Sequence, residues 1–407
     1  MKLTTRVQLS VMMFLEFFIW GGWFVTLGTF LGTNLNATGN QIGDVFSTQS
    51  WGAIIAPFII GLIADRYINA ERILGVLHII GAILMFQMYN ADNIGVFYPY
   101  VLVYMILYMP TIALTNSVSF RQMNDPEKEF SGIRLWGTIG WIVAGLMISY
   151  AFHWDTEENT ANGLLRNTFL MSSIVSLALG LFSFTLPKTP PTKSAKEKVS
   201  IREIIGLDAL KLLKDRNFAI FFISSILICI PLAFYYSNAH PFLTNAGMSN
   251  PTGKMTIGQI SEVVFLLLLP LFFKKFGFKT TILVGMLAWA LRYVLFAYGN
   301  AGELSFMLIL GIALHGICYD FFFVSGFIYT DSKAGPKYKS AAQGLITLAT
   351  YGIGMLIGFK IAGWITDAYK LADNVYDYRM IWLIPAIIAA AVFLLFLALF
   401  RNEKKQI

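Results

Sequence analysis

Long apolar runs are the feature of this 407-residue chain that most restricts its fold. A helix that crosses a bilayer needs roughly 20 apolar residues in succession. Runs of about this length lie at 8–32, 42–64, 72–90, 95–119, 132–153, 166–186, 217–243, 256–273, 280–298, 304–329, 340–367 and 379–400. They are too long for barrel strands and lack the alternation of apolar and polar residues that such strands require. The sequence therefore predicts an all-α membrane protein with twelve transmembrane helices.

Composition excludes the main classes of soluble protein. Hydrophobic residues make up 57% of the chain and charged residues only 13%, whereas soluble domains carry roughly a quarter charged residues. A cytosolic enzyme, a disordered protein and a secreted disulfide scaffold are all excluded on this basis. Cys229 and Cys318 both lie inside apolar runs and indicate no metal site. The first run is too long for a cleavable signal peptide and contains Glu16.

The distribution of basic residues predicts the topology. Most of the 30 Lys and Arg residues fall in the terminal segments and in the loops on the same side of the membrane. The positive-inside rule then places both termini in the cytoplasm, and we expect a multi-pass protein of the cell inner membrane. The net charge of +7 is explained by this topology and does not require nucleic acid as a partner.

A polar segment near the middle of the chain predicts two helical bundles. Residues 188–216 are rich in Pro and Lys and are predicted to be a cytoplasmic linker. They separate an N-terminal six-helix bundle, 1–187, from a C-terminal six-helix bundle, 217–407. Two bundles of six helices with a central linker are typical of secondary transporters built from repeats.

The loop after the second run resembles a known transporter motif. Gly61-Leu-Ile-Ala-Asp65-Arg66 is similar to the G-x-x-x-D-R loop of the major facilitator superfamily. The resemblance implies the major facilitator fold, and we expect Asp65 and Arg66 to act in gating by pairing with an adjacent helix. A plain Asp-Arg pair at the membrane edge is the alternative.

Further segments along the chain resemble one family within that superfamily, the nucleoside:proton symporters or bacterial nucleoside permeases. They include Ile133-Arg134-Leu-Trp136-Gly137-Thr138-Ile-Gly140, Gln259-Ile-Ser261-Glu262, Tyr319-Asp320-Phe-Phe and Ala342-Gln343-Gly344. The resemblance implies a proton-coupled importer of nucleosides that works by alternating access. A major facilitator transporter of another polar small molecule, such as a sugar or a drug, is the alternative.

Three side chains on the fifth run form one helical stripe. Thr138 and Trp141 follow Arg134 by four and seven residues. A cation, a hydroxyl and an aromatic plane on one face suit a sugar and a flat base, and the family has related residues here. We expect all three to bind substrate, although helix packing alone also accounts for a Trp in a span.

The seventh and eighth runs supply further candidates for substrate binding. Gln259 and Glu262 are three residues apart and share a helix face, where they can hydrogen-bond ribose hydroxyls or base edges. Interhelical hydrogen bonding is the alternative. In the seventh run Ala233 and Tyr236 stand where related permeases carry Gln and Asn, so we expect Tyr236 to contact the base and to alter base preference.

The tenth run contains the predicted proton site. Asp320 lies among bulky apolar residues, and burial in such surroundings favours the protonated form of a carboxylate. We expect Asp320, together with Glu262, to couple proton and substrate movement, with a structural ion pair to Arg134 as the alternative. His315 and Tyr319 precede Asp320 on the same run and are predicted to bind substrate, His315 at a position where permeases carry Tyr.

The remaining polar groups in the spans are predicted to be mainly structural. Glu16 stands where related permeases carry a neutral Gln, and it is as compatible with packing as with function. Arg292 and Lys360 are predicted to be structural or topological, and His78 is given no role. No catalytic cluster and no phosphate-binding G-x-x-x-x-G-K-[ST] motif occurs. We therefore expect no enzyme activity, cofactor or metal, and a monomer in the lipid bilayer with a nucleoside and a proton as its ligands.

Overall fold

The computed structural model describes residues 1–59, 63, 67–191, 207–372 and 375–401. Its main helices are α1 (Leu3–Gly21), α2 (Gly39–Ile59), α3 (Ala70–Asn90), α4 (Ile94–Arg121), α5 (Pro126–Leu146), α6 (Asn167–Ser183), α7 (Arg216–Asn245), α8 (Pro251–Tyr298), α9 (Ser305–Ala313), α10 (His315–Tyr319), α11 (Ser325–Thr347), α12 (Met355–Ala368) and α13 (Tyr378–Leu399).

Shorter segments connect or extend these helices. Turns of π-helix occupy Phe30–Asn34, Met147–Ala151, Asp320–Val324 and Leu348–Gly354. Short helical turns occupy Leu27–Thr29, Glu157–Ala161, Leu164–Arg166 and Leu207–Lys214. Strands β1 (Lys370–Ala372) and β2 (Val375–Tyr376) pair antiparallel, with Lys370 opposite Tyr376.

In the described part of the chain, ten helical stretches are long and apolar enough to cross a membrane. The all-α membrane class is thereby confirmed, but the predicted count of twelve is not. One difference is α8, which covers two predicted runs and is interrupted by Gly277, whose φ of 75° and ψ of 176° are not helical. The other is α2, which is not among the ten stretches. Its first half is polar and includes Asn40, Gln41 and Asp44.

The described residues divide into two compact units. Unit 1 contains 1–37, 48–191 and 249–253, and unit 2 contains 38–47, 207–248 and 254–401. Within unit 1 the most extensive packing joins α3 to α6 and α1 to α5, and within unit 2 it joins α7 to α12 and α13. The predicted domain boundaries at 187 and 217 stay a prediction.

Small residues allow close helix packing in unit 1. A Cβ atom built at Gly140 of α5 would lie only 2.2 Å from the Phe14 carbonyl oxygen of α1, so this crossing requires glycine. On α6, the Ser173 hydroxyl donates to the Ala82 carbonyl oxygen at 2.7 Å and the Ser176 hydroxyl to that of His78 at 2.9 Å. Small side chains and such hydrogen bonds hold helices together in lipid, where apolar burial gives no driving force.

A close crossing of α2 and α12 also depends on glycine. A Cβ atom at Gly43 would lie 2.5 Å from the Phe359 carbonyl oxygen, and one at Gly363 would lie 2.5 Å from that of Gly39. The Asp367 carboxylate accepts hydrogen bonds from the Gly39 amide at 2.5 Å and the Asn40 amide at 2.8 Å. A carboxylate at this position satisfies free amides and complements the positive end of the helix dipole.

Lys360, which was predicted to be structural or topological, lies on the same α2–α12 crossing. Its Nζ pairs with the Asp44 carboxylate, and both side chains are exposed.

Candidate functional site

The predicted site residues fall in both units, and each part is described by itself. Arg134, Thr138 and Trp141 lie on α5 in unit 1. Tyr236, Gln259, Glu262, His315, Tyr319 and Asp320 lie in unit 2. Asp65 and Arg66, the predicted gating pair, lie outside the described residues. The predicted proximity of Arg134 to Asp320 stays a prediction.

The stripe on α5 packs against aromatic residues of α1. The Arg134 guanidinium carbon lies 4.0 Å from the centre of the Phe17 ring, in cation–π geometry. The Trp141 ring meets the Trp20 ring edge-to-face at 5.6 Å. A Cβ atom at Gly21 would lie 2.7 Å from the Trp141 ring, so glycine there lets the indole lie against α1. Arg134, Thr138 and Trp141 are all half-buried.

Behind this stripe lies a fully buried hydrogen-bond network centred on Glu16. Glu16 Oε2 lies 2.8 Å from His78 Nε2, and Glu16 Oε1 accepts from the Thr111 hydroxyl at 2.6 Å. The Tyr108 hydroxyl donates to the Glu16 carbonyl oxygen at 2.8 Å. His78 Nδ1 lies 3.2 Å from the Ser176 hydroxyl oxygen. No role was predicted for His78, and this network defines a structural one that ties α1 to α3, α4 and α6.

In unit 2, one serine fixes the backbone around the candidate histidine. The Ser261 hydroxyl of α8 donates to the Ala313 carbonyl oxygen at 2.5 Å and accepts from the Gly316 amide at 2.9 Å. These contacts bracket His315 at the junction between α9 and α10. Gln259 and Glu262 flank Ser261 on α8, and both are half-buried.

The buried His315 side chain lies between a carboxylate and a guanidinium. Its Nε2 lies 3.9 Å from Glu262 Oε2, and its Nδ1 lies 3.2 Å from Arg292 Nη1. The Tyr235 ring stacks on the His315 ring with centres 5.5 Å apart. The Arg292 guanidinium also covers the Tyr235 ring, 3.4 Å from its centre. Sequence reasoning did not identify Arg292 and Tyr235 as part of this cluster.

Asp320 follows immediately on α10, in the π-helical turn Asp320–Val324. Its side chain is 1% exposed, and its Oδ2 has no hydrogen-bond partner among the residues that the structure describes. Glu262 is close enough for its charge to act on the Asp320 carboxyl group. The Tyr319 hydroxyl lies 2.6 Å from the Tyr351 hydroxyl, so one phenol donates to the other.

The two residues that depart from the family pattern on α7 lie in different surroundings. Tyr236 is half-buried, next to Tyr235 with ring centres 6.0 Å apart. Ala233 is fully buried, and its Cβ would lie 2.7 Å from a Cβ built at Gly358 of α12. A long amide at 233 would therefore push α7 and α12 apart, which leaves Tyr236 as the useful position for tests of base preference.

The sequence contains only incomplete indications of the three cluster residues that were not predicted, Ser261, Tyr235 and Arg292. Ser261 lies inside the Gln259–Glu262 segment, and Tyr235 precedes Tyr236. Arg292 was recognised as an intramembrane charge, but no sequence spacing connects it to His315. Within the described residues, no group of three or more His, Cys, Asp or Glu side chains is arranged to hold a metal ion.

Comparison with known sequences identifies the family. The model of the nucleoside H+ symporter family matches residues 1–405. YegT of Escherichia coli K12, provisionally named a nucleoside transporter, is 41% identical over 99% of this chain and 95% of its own. The xanthosine permease of the same organism is 33% identical over 94% of this chain and 93% of its own.

Comparison with solved structures supports the same family. The crystal structure of the nucleoside transporter NupG superimposes with a TM-score of 0.86 at 30% identity, covering 98% of this chain and 100% of that one. An aspartate-to-alanine mutant of NupG superimposes with a TM-score of 0.89 over the same shares. The predicted major facilitator fold class is thereby confirmed, and the chain belongs to the nucleoside H+ symporter family of membrane transporters.

Proposed function

We propose that this protein imports nucleosides together with protons by alternating access, and that the cluster around Glu262 and Asp320 in unit 2 couples the two. The observation that carries the proposal is the state of Asp320. It is a carboxyl group that is almost fully buried, with one oxygen lacking a hydrogen-bond partner in the described part of the chain. A buried carboxylate without a cation is costly, whereas its protonated form is not.

The cycle follows from this preference. Protonation of Asp320, with Glu262 as its nearby acidic group, allows the loaded transporter to change its access state. Release of the proton to the cytoplasm restores the charge and prepares the next cycle. Gln259 and Glu262 are assigned to ribose hydroxyls or base edges, because an amide and a carboxylate offer both donors and acceptors. Arg134, Thr138, Trp141, Tyr236, His315 and Tyr319 are assigned to the sugar and the base.

Proton coupling is tested with Asp320→Asn in inverted or right-side-out vesicles with an imposed proton gradient. We expect the variant to lose accumulation of labelled nucleoside against its gradient, while exchange of labelled for unlabelled nucleoside across the membrane continues. Accumulation by a well-expressed variant at the wild-type level would remove Asp320 from the proton site. An uncoupler added to the wild type supplies the matched control.

The same vesicles test the substrate class. Unlabelled uridine, adenosine and xanthosine should compete with the labelled nucleoside, whereas glucose and maltose should not. Competition by the sugars alone would favour the alternative, a major facilitator transporter of another polar small molecule. Localisation to the inner membrane, cytoplasmic termini and a monomeric state are part of this proposal.

A further inference from the structure

Arg292 is a buried charge for which the transport cycle described above has no use. Its side chain is fully buried, and within the described residues its Nε and Nη2 atoms have no hydrogen-bond partner. Its Nη1 atom lies 3.2 Å from His315 Nδ1, within hydrogen-bond distance. The rest of the guanidinium lies against the rings of Tyr235 and Phe296.

This hydrogen bond determines where His315 carries its proton. A guanidinium has five N–H donors and no acceptor, so His315 Nδ1 must accept. The imidazole is then neutral and its single proton is on Nε2. Among the described residues, the other ionisable groups around the pair are the phenols of Tyr235, Tyr236, Tyr293 and Tyr319 and the thiol of Cys318. Phenols and thiols are neutral near pH 7, and the nearby carboxylate is that of Glu262.

The carboxylate near the Nε2–H group of His315 is that of Glu262. The 3.9 Å between His315 Nε2 and Glu262 Oε2 is too long for a direct hydrogen bond. A hydroxyl oxygen placed about 2.8 Å from both atoms would accept from Nε2 and donate to Oε2, with an angle of about 90° between the two contacts. His315 and Glu262 therefore form a donor and an acceptor at the spacing that one hydroxyl group can bridge.

The backbone holds this geometry in place. Ser261 hydrogen-bonds the Ala313 carbonyl and the Gly316 amide, on either side of His315. Glu262 is the next residue on the same helix. Stacking of Tyr235 on the imidazole fixes the plane of the ring. The donor and the acceptor are thus set by adjacent positions of one rigid contact between helices.

We propose that Arg292 is a positioning residue that fixes His315 as a neutral Nε2–H donor, so that His315 and Glu262 together bind one hydroxyl group of the substrate sugar. The first part depends only on the contacts above. The second part rests on the proposed function, since it requires a nucleoside as the ligand. On this proposal His315 does not carry the transported proton.

The tautomer is measured directly by ¹⁵N NMR of the full-length protein in nanodiscs, with ¹⁵N-labelled histidine rings. The His315 signals are assigned by their loss in His315→Asn. We expect an unprotonated Nδ1 and a protonated Nε2 that stay unchanged from about pH 5.5 to 8, a range in which free imidazole titrates. In Arg292→Met the ring should titrate or change tautomer. Titration in the wild type, or identical spectra in Arg292→Met, would overturn the assignment to Arg292.

Two substitutions at His315 separate the donor from the acceptor. Asn places its amide oxygen near the position of Nδ1 and keeps the contact to Arg292, but lacks the Nε2 donor. Gln places an N–H donor near Nε2 and loses the contact to Arg292. For uridine and adenosine binding we expect Asn to weaken affinity about tenfold or more and Gln about threefold, because a site left without a hydrogen-bond partner discriminates strongly. The opposite order would reject the donor role.

The sugar hydroxyls are tested with 2′,3′-dideoxyuridine and 2′,3′-dideoxyadenosine. If His315 and Glu262 bind a ribose hydroxyl, the difference between wild type and His315→Asn should disappear for these analogues. A difference of equal size would show that His315 contacts another part of the ligand and would overturn the second part. If the wild type binds no nucleoside at all, the proposed function fails, while the NMR result still decides the role of Arg292.

Discussion

Two of the buried histidines, His78 in unit 1 and His315 in unit 2, have partners of opposite charge. His78 in unit 1 lies 2.8 Å from a carboxylate oxygen of Glu16, and His315 in unit 2 lies 3.2 Å from a guanidinium nitrogen of Arg292. Both histidines are at most 4% exposed. The partner decides what each ring can do, because a carboxylate accepts hydrogen bonds and a guanidinium only donates them.

The network around His78 satisfies its polar atoms internally. The single hydroxyl proton of Ser176 goes to the His78 carbonyl oxygen at 2.9 Å, so His78 Nδ1 must donate to Ser176. One further proton then lies between Nε2 and Glu16, and the pair is neutral overall, as an ion pair or as acid and imidazole. In unit 2 the Arg292 guanidinium hydrogen-bonds a neutral imidazole, which does not balance its positive charge. The His315 ring keeps its Nε2–H donor for Glu262. The first arrangement is suited to stability and the second to binding.

The largest expected effect is that of His78→Leu. This substitution leaves the Glu16 carboxyl group fully buried without its imidazole partner, and breaking a buried pair in this way costs about 3–5 kcal/mol. We expect a strongly reduced unfolding temperature in detergent, together with loss of uptake in proportion to the loss of folded protein. Thermal unfolding followed by size-exclusion chromatography measures the first.

The matched control for His78→Leu is the double variant Glu16→Leu with His78→Leu. Replacing both members of a buried pair by apolar residues is often close to neutral. The double variant should therefore recover most of the lost stability. If the double variant is as unstable as the single variant, the loss of stability comes from altered side-chain volume and not from an unpaired carboxyl group. The network would then not be the reason for the stability of unit 1.

The second effect in size is that of Arg292→Met, which should separate stability from function. A guanidinium with two unsatisfied nitrogens contributes little net stability, so we expect a loss below about 2 kcal/mol, mainly from lost stacking on Tyr235. Nucleoside uptake should nevertheless fall about tenfold, because His315 is no longer held as a donor. Unfolding temperature and initial uptake rate are measured on the same preparation. A stability loss equal to that of His78→Leu would make Arg292 structural, as the sequence predicted.

The difference between the two histidines also shows how far the sequence can lead. Membrane class and family were correctly predicted from runs and resemblance, and Gln259, Glu262, His315 and Asp320 were predicted as site residues from spacing and resemblance. The partners of His78 and His315 were not, because Glu16 is 62 and Arg292 is 23 positions away along the chain. Such pairs depend on which helices pack together and at which depth, and one apolar run contains no information on either.

Helix boundaries show a similar limit. Hydropathy separates 256–273 from 280–298 because Lys274, Lys275 and Lys279 interrupt the apolar residues. In the structure α8 runs through both, and only Gly277 departs from helical geometry. A charged stretch at a membrane surface is compatible with continued helix or with a loop, and the choice depends on one backbone conformation that glycine adopts readily.

The smallest expected effect is that of Glu16→Gln, and it is the sharpest test of the neutral pair. The Gln carbonyl oxygen can still accept from Thr111, and its amide can donate to His78 Nε2, while His78 Nδ1 continues to donate to Ser176. Every hydrogen bond of the network is retained, so we expect a change in stability within about 1 kcal/mol. Uptake measured from pH 5.5 to 8 should keep the wild-type profile, because the hydrogen bonds of the network are unchanged. A loss of proton-driven accumulation with normal expression would instead make Glu16 and His78 a second proton site, and the contrast between the two histidines would no longer hold.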